Sequence, residues 1–212
     1  MSGVAQKYPR GFLRSYVRAK LATDPVYDAA FECLRGSELP VLDIGCGVGI
    51  LGMYLRERGF TAPIVGIDHD ARKIRVAQRV ATGVEALSFV VSDARRPISV
   101  RGNIVLLDVL HYFANEDQKA ILRNAAEAGV MILIRDAIRD GSLRYRLTYA
   151  QEAFARIGGW LKAEQLNFPT RESIAQSLNG DFEHEVRPMF GRSPFNNYLF
   201  VFRRSSAGTT KE

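Results

Sequence analysis

The chain has 212 residues, 47% of them hydrophobic and 25% charged, which is ordinary for one folded domain with a full core. Its net charge of +6 comes without a run of five basic residues, so nucleic-acid binding is not favoured. Two cysteines exclude a disulfide framework, three scattered histidines give no metal-ligand spacing, and no apolar run approaches transmembrane length. We therefore expect a cytoplasmic protein without a metal site or a transmembrane segment.

Residues 1–36 are predicted to form a helical cap that precedes the first core strand. Residues 1–9 are expected to be a loose arm, and residues 10–21 then place apolar side chains at helical spacing, with arginines on another face. Asp24 and Pro25 are typical of a second helix start. The basic face of the first helix is either solvated or a docking face for an anionic carrier or lipid.

From residue 37 the chain alternates between strand and helix patterns. The predicted strands are residues 41–44, 64–68, 87–91, 103–108 and 130–135. These segments are apolar on both faces, which is typical of a parallel sheet with helices on each side. The chain is therefore predicted to be a three-layer α/β protein.

The pattern changes after Ala137. Two helices, residues 143–157 and 170–178, are followed by two strands, residues 182–186 and 197–203. Only a loop joins these strands, so they must pair antiparallel, because a parallel partner needs a crossover of about a dozen residues. We expect seven strands, mostly parallel, with an antiparallel C-terminal strand and a disordered polar tail at residues 205–212.

A glycine-rich turn follows the first predicted strand, in the sequence Asp43-Ile44-Gly45-Cys46-Gly47-Val48-Gly49. Glycines let a backbone approach a ligand closely, and the N–H groups of a helix start can hold an acceptor atom. The Asp43 carboxylate suits a cationic group better than a pyrophosphate. Residues 47–52 also satisfy the dinucleotide pattern G-x-G-x-x-G, so an NAD(P)-dependent oxidoreductase is an open alternative.

This stretch resembles the first signature of the class I S-adenosylmethionine-dependent methyltransferases, an acidic residue followed by G-x-G-x-G. The resemblance spans roughly residues 41–136. It implies a Rossmann-like fold in which residues 37–204 form the methyltransferase domain, S-adenosylmethionine as the cofactor, and a small-molecule acceptor. A non-catalytic S-adenosylmethionine-binding module is a further alternative. The oligomeric state is left open.

Ligands of open α/β sheets bind at the carboxyl ends of the strands, where four aspartates follow one another in the predicted order. The resemblance implies that Asp68 accepts the ribose hydroxyls, that Asp93 accepts the adenine amino group, and that Asp43 faces the methionyl ammonium. The full set of predicted cofactor-binding residues is Asp43, Gly45, Cys46, Gly47, Gly49, Asp68, His69, Asp93, Ala94, Asp108 and Val109.

The reacting end of the site is predicted after the fourth strand. His111 lies there and is the candidate general base, because its unperturbed pKa suits proton removal at neutral pH. Tyr112 and Asp136 are the other catalytic candidates, and packing of His111 under the adenosine is the alternative. The predicted acceptor contacts are Arg135, Arg144 and Tyr145.

A narrower resemblance rests on the residues around His111 and Arg135 and on the segment 143–148. They resemble methyltransferases of bacterial aryl polyene pigment clusters, which implies an aromatic or polyene acyl acceptor, carried on an acidic acyl carrier protein. The tetrapeptide Asp108-Val109-Leu110-His111 lacks an N-P-P-Y-like motif, which argues against the amino-methylating DNA and glutamine enzymes.

Overall fold

The structure is a computed structural model that describes residues 3–157, 166–178, 180–191 and 194–205, excluding the side chains of residues 151–157. The helices of the described part are α1 (Phe12–Thr23), α2 (Val26–Leu34), α3 (Ile50–Glu57), α4 (Ala71–Val80), α5 (Asn115–Ala128), α6 (Leu143–Ile157) and α7 (Arg171–Ser177). The strands are β1 (Val41–Ile44), β2 (Ile64–Asp68), β3 (Leu87–Val91), β4 (Gly102–Leu107), β5 (Gly129–Ala137), β6 (Phe182–Pro188) and β7 (Asn197–Arg204).

The strands form one seven-stranded sheet in the order β3-β2-β1-β4-β5-β7-β6. The pairs among β1 to β5 are parallel, and β7 runs antiparallel to both of its neighbours. The prediction of a mostly parallel sheet with an antiparallel C-terminal strand is confirmed. The short connection between β6 and β7 allows no other pairing.

Side chains alternate along each central strand between two hydrophobic clusters, one on each face of the sheet. On β5, for example, Leu133 belongs to the cluster that includes α2, α3 and α4, whereas Ile132 and Ile134 belong to the cluster of α5 and α7. This alternation produces the predicted three layers. It also sends consecutive residues at the end of β5 to opposite faces.

The N-terminal segment is packed, so the expectation of a loose arm is wrong for its described residues. Val4–Lys7 form a short 3-10 helix, and Val4 and Tyr8 are fully buried in the first cluster. The Tyr8 hydroxyl donates a hydrogen bond to the carbonyl of Val48, 3.1 Å away in the glycine turn. A single short turn carries no periodicity, and so the sequence pattern missed this packing.

Several element ends differ slightly from their predicted positions. Strand β5 extends to Ala137, and β4 ends at Leu107, so that Asp108 lies outside the strand with a left-handed backbone. The predicted helix break at Gly158-Gly159 and the predicted tail beyond Ser205 lie outside the described residues. No helix in the described ranges is long and apolar enough to cross a membrane.

Candidate active site

The glycine turn after β1 has a backbone that only glycine adopts easily. Gly45, Gly47 and Gly49 have φ values of +75°, +56° and +82°. A Cβ atom added at Gly45 would lie 2.4 Å from Cγ2 of Val109, whereas one added at Gly47 would meet no described atom within 4 Å. The turn is therefore packed against Val109 on one side and open at Gly47, where a ligand can approach the backbone.

Asp43 is buried at the end of β1, directly before this turn. Among the residues that the structure describes, its Oδ2 atom has no hydrogen-bond partner. Burial, together with the nearby Asp68 carboxylate, raises the pKa of Asp43 to about 7. A buried carboxylate is costly unless it is paired, so this position fits a cationic ligand group.

Asp68 ends β2 beside the same turn. Its Oδ2 accepts a hydrogen bond from the backbone N–H of Gly47 at 2.9 Å, and its Oδ1 accepts one from the N–H of Asp70 at 2.8 Å. The neighbouring His69 side chain is exposed, with Nδ1 3.5 Å from Asp68 Oδ1. Asp68 therefore ties the glycine turn to the start of α4, and each of its oxygens retains a second lone pair.

Asp93 lies nearer the surface than the other three aspartates. Its carboxylate accepts hydrogen bonds from the Arg95 side chain, the shortest at 2.6 Å, and from the Arg95 backbone N–H. These hydrogen bonds lower the pKa of Asp93 to about 2. The adjacent Ala94 is half-buried against the second core cluster. An adenine amino group at Asp93 would share the carboxylate with Arg95.

Four charged side chains meet where β4 and β5 end, and we call them the charge quartet: Lys20, Asp24, Asp108 and Arg135. Arg135 is 2.7 Å from Asp24 and 2.6 Å from Asp108, and Lys20 is 3.3 Å from Asp24 and 3.4 Å from Asp108. Burial alone would raise the pKa of Asp108, but Arg135 and Lys20 outweigh it and lower this pKa. The quartet therefore pairs two basic side chains with two acidic ones, and their formal charges cancel.

Asp136 follows Arg135 on β5 and points to the opposite face of the sheet, where it meets His111. Its Oδ1 atom is 2.6 Å from Nδ1 of His111, and its Oδ2 accepts the backbone N–H of Leu110 at 2.9 Å. Both side chains are buried. Two of the three predicted catalytic residues thus form a histidine–carboxylate pair, with the third, Tyr112, against the His111 ring at a centroid distance of 3.9 Å.

Aromatic rings surround this pair. Phe168 stacks on His111 with the ring centroids 5.0 Å apart, and Tyr145 meets the edge of Phe168 at 5.7 Å. Tyr149 packs against the same Phe168 ring at 6.1 Å. No sequence motif marks Phe168, which lies in an irregular segment after α6.

Arg144, one of the three predicted acceptor contacts, faces a different surface. Its guanidinium lies 4.3 Å above the ring of Phe190 and donates to the Phe195 carbonyl at 3.5 Å. Arg135 is buried in the charge quartet. Of the three predicted acceptor contacts, the structure brings Tyr145 alone towards the His111–Asp136 pair. Cys46 is buried in the glycine turn, among the cofactor candidates.

This strand order, with the glycine turn after β1 and acids at the ends of β1 and β2, is the Rossmann-like fold of the class I S-adenosylmethionine-dependent methyltransferases. The dinucleotide-binding Rossmann fold instead has the parallel order 3-2-1-4-5-6, without an inserted antiparallel strand. The predicted fold is therefore confirmed.

The comparisons with known proteins point the same way. Residues 41–128 match the family model described as "Methyltransferase domain". No curated protein sequence matches the chain significantly.

Solved structures match the fold over most of the chain. Magnesium protoporphyrin IX methyltransferase from Synechocystis PCC 6803 with bound SAH, the demethylated cofactor, has a TM-score of 0.68 and 21% identity, covering 94% of this chain and 92% of that one. The same enzyme was also crystallised with SAM. An O-methyltransferase family protein from Burkholderia thailandensis has a TM-score of 0.69 and 18% identity, covering 90% and 57%. A [4+2]-cyclase has a TM-score of 0.65 and 12% identity, covering 85% and 81%.

Proposed function

We propose that this chain binds S-adenosylmethionine and transfers its methyl group to a small-molecule acceptor. The observation that carries the proposal is the buried Asp43 carboxylate, which has one oxygen without a described partner beside the open side of Gly47. An anion buried in this way fits a ligand that carries positive charge. The bound cofactors in the neighbouring structures support the same choice.

The residues present fit the cofactor in a simple division of roles. Asp43 faces the positively charged methionyl end, and Asp68 accepts the ribose hydroxyls with its remaining lone pairs. Asp93 accepts from the adenine amino group in competition with Arg95. When bound, the cofactor supplies a methyl group on a sulfonium, which is a good leaving group.

His111 and Asp136 are proposed to remove a proton from the acceptor. The neutral imidazole donates Nδ1–H to the Asp136 carboxylate, so Nε2 is the basic nitrogen of this tautomer. Asp136 then holds the ring in orientation and stabilises the imidazolium that forms, as a carboxylate does in other histidine-based sites. Packing of His111 under the adenosine is the competing outcome of the mutational test given below.

The acceptor is proposed to be an uncharged aromatic compound with an acidic O–H or C–H group. The rings of Tyr145, Phe168 and Tyr112 lie around His111 and favour a planar apolar partner. Arg135 and Arg144 are left out of the acceptor contacts, because the first is ion-paired within the quartet and the second stacks on Phe190. The acyl carrier partner predicted from the sequence has no support in the described contacts and stays a prediction.

Calorimetry with the purified protein tests the cofactor assignment. S-adenosylmethionine and S-adenosylhomocysteine should bind with a 1:1 stoichiometry, whereas NAD(H) and NADP(H) should not bind. Binding of a nicotinamide cofactor alone would establish the oxidoreductase alternative and overturn the proposal.

A second measurement separates an enzyme from a binding module. In the presence of a panel of phenols and enols, an enzyme should release S-adenosylhomocysteine with at least one of them. Tight binding without release for any phenol or enol of the panel would favour the non-catalytic module, since a shared fold does not fix the reaction.

A further inference from the structure

We infer that Gln118 is a positioning residue that fixes the loop of His111 and seats the Phe168 ring on the imidazole. This role rests on the proposed function, because it takes His111 as the base that accepts the acceptor's proton. Gln118 lies in the first turn of α5 and is buried although its side chain is polar. A buried amide is costly unless its polar atoms have hydrogen-bond partners, so the partners of Gln118 indicate what this residue does.

The Gln118 side chain joins two segments that are far apart in sequence. Its Nε2 atom donates to the carbonyl of Phe113 at 3.0 Å and to the carbonyl of Asn167, 49 residues later, at 2.7 Å. Carbonyl oxygens only accept hydrogen bonds, so both contacts require the NH2 end of the amide. The two partners therefore fix the orientation of the amide, and the amide in turn holds the loop after β4 against the segment that carries Phe168.

Asn167 makes two further hydrogen bonds to the same loop. Its backbone N–H donates to the carbonyl of His111 at 2.8 Å, and its Nδ2 atom donates to the carbonyl of Phe113 at 3.1 Å. The Phe113 carbonyl thus accepts one hydrogen bond from each amide side chain, which uses both of its lone pairs. We call the two side chains, Gln118 and Asn167, the amide clamp.

The amide clamp acts on both the backbone and the ring of His111. The His111 N–H donates to Asp136 at 3.4 Å and the His111 carbonyl accepts from Asn167, so this backbone is held on both sides. Phe168 follows Asn167 directly, and its ring lies 5.0 Å from the imidazole at an interplanar angle of 11°. A stacked ring opposes rotation of the imidazole about its Cβ–Cγ bond, which would take Nδ1 away from Asp136. Gln118 therefore preserves the orientation in which Nε2 is the basic nitrogen.

Gln118→Leu is the first variant to test, because it removes both donors with little change in side-chain volume. Gln78→Leu is the matched control, since Gln78 on α4 also donates from Nε2 to a carbonyl, that of Phe89 at 2.8 Å, on the other face of the sheet. Asn167→Ala removes the second clamp side chain at a half-buried position and supplies the test if Gln118→Leu fails to fold. All variants are measured in the full-length chain.

Nuclear magnetic resonance of the histidine-labelled, ligand-free protein measures the imidazole directly. The chain has three histidines, and loss of a signal in His111→Ala assigns the resonances of His111. Gln118→Leu and Asn167→Ala should both shift these resonances, because the ring current of Phe168 and the fixed Nδ1–H contact are weakened. Gln78→Leu should leave them in place. Unchanged His111 resonances in both clamp variants would overturn the inference.

Hydrogen exchange measures the backbone contact between the two segments. The amide of Asn167, which donates to the His111 carbonyl, should exchange about tenfold faster in Gln118→Leu than in wild type. In Gln78→Leu the Asn167 amide should exchange at the wild-type rate. Equal exchange of this amide in Gln118→Leu and Gln78→Leu would show that Gln118 does not hold the segment, and would overturn the inference whether or not the protein is an enzyme.

Turnover tests whether the placement of His111 matters to the reaction. With a phenol or enol that wild type methylates, Gln118→Leu should lower kcat about tenfold or more, since small misplacements of a reacting group are costly. The Kd of S-adenosylhomocysteine should stay at the wild-type value, and Gln78→Leu should change neither quantity. A wild-type kcat in Gln118→Leu would overturn the positioning role. Failure of wild type to methylate any member of the panel would contradict the proposed function, and the resonance and exchange measurements would still decide whether the clamp holds His111.

Discussion

Asp43 binds a proton in the ligand-free protein at a pH where the unfolded chain has released it, because burial and Asp68 raise its pKa from 3.8 to about 7. The stabilising effect of this proton is complete below the unfolded pKa and is lost as the pH rises through about 7. Asp43→Asn should therefore raise the Tm of the ligand-free protein more at pH 8 than at pH 5. Glu127→Gln, at an exposed position on α5, is the control. An equal Tm difference at both pH values would contradict the raised pKa.

The same Asp43 proton should be released when the cofactor binds. A cationic ligand favours the ionised carboxylate, so binding should release up to one proton at pH 6 and weaken as the pH falls below about 7. Calorimetry with S-adenosylmethionine in buffers of different ionisation enthalpy measures this release. Asp43→Asn should abolish it. Proton release that persists in Asp43→Asn would place the titrating group elsewhere.

Asp68 should contribute to cofactor affinity through its carboxylate. A hydrogen bond to a charged acceptor contributes about 1.5–3 kcal/mol, and Asp68 also holds the N–H of Gly47 in the turn. Asp68→Ala should weaken S-adenosylhomocysteine binding about tenfold or more, with the protein still folded, as measured by calorimetry and circular dichroism. Glu127→Ala should bind like wild type. An unchanged Kd in Asp68→Ala would remove the ribose assignment.

The contact with Asp136 fixes the orientation of the His111 ring, and this orientation suits a general base. If it is the base, His111→Ala should lower turnover by about 10²–10⁴-fold and leave cofactor affinity nearly unchanged. Asp136→Asn should lower turnover as well, since the amide can present its N–H to Nδ1 and favour the wrong tautomer. Weaker cofactor binding with normal turnover at saturation would instead place His111 under the adenosine.

At the scale of elements, the N-terminal segment is part of the core, through Tyr8. Tyr8→Phe removes only the hydrogen bond to Val48 and should cost about 0.5–1.5 kcal/mol of unfolding free energy. Tyr8→Ala also removes a fully buried ring and should cost about 3–5 kcal/mol. Urea denaturation measures both. A free energy of unfolding in Tyr8→Ala equal to that of wild type would instead favour the loose arm predicted for residues 1–9.

At the scale of the whole molecule, cofactor binding should stabilise the folded chain by mass action. At 100 times its Kd, S-adenosylhomocysteine should add about 2.7 kcal/mol. For a chain of this length that corresponds to a rise in Tm of about 5–11 °C. Differential scanning calorimetry measures the shift, and NADH at the same concentration should give none. A shift with NADH alone would contradict the cofactor assignment.

The strands of the sheet and their pairing could be predicted from the sequence, because each depends on a local pattern of residues. The strands before residue 136 are continuous apolar runs, and the loop between β6 and β7 is too short for parallel pairing. The glycine turn was also predictable, since Gly45 and Gly49 occupy left-handed positions that other residues rarely adopt. The element ends were less certain, because Asp108 continues an apolar run in the sequence but lies outside β4 with a left-handed backbone.

Local sequence therefore determined the fold, the order of the strands' acidic ends and the resemblance to a methyltransferase class. Tertiary structure alone decided which of these residues meet. Arg135 and Asp136 are neighbours in sequence, but strand alternation sends one to Lys20 and Asp24 on one face and the other to His111 on the opposite face. Contacts such as these join residues 25 to 111 positions apart, and no local pattern specifies partners at that distance.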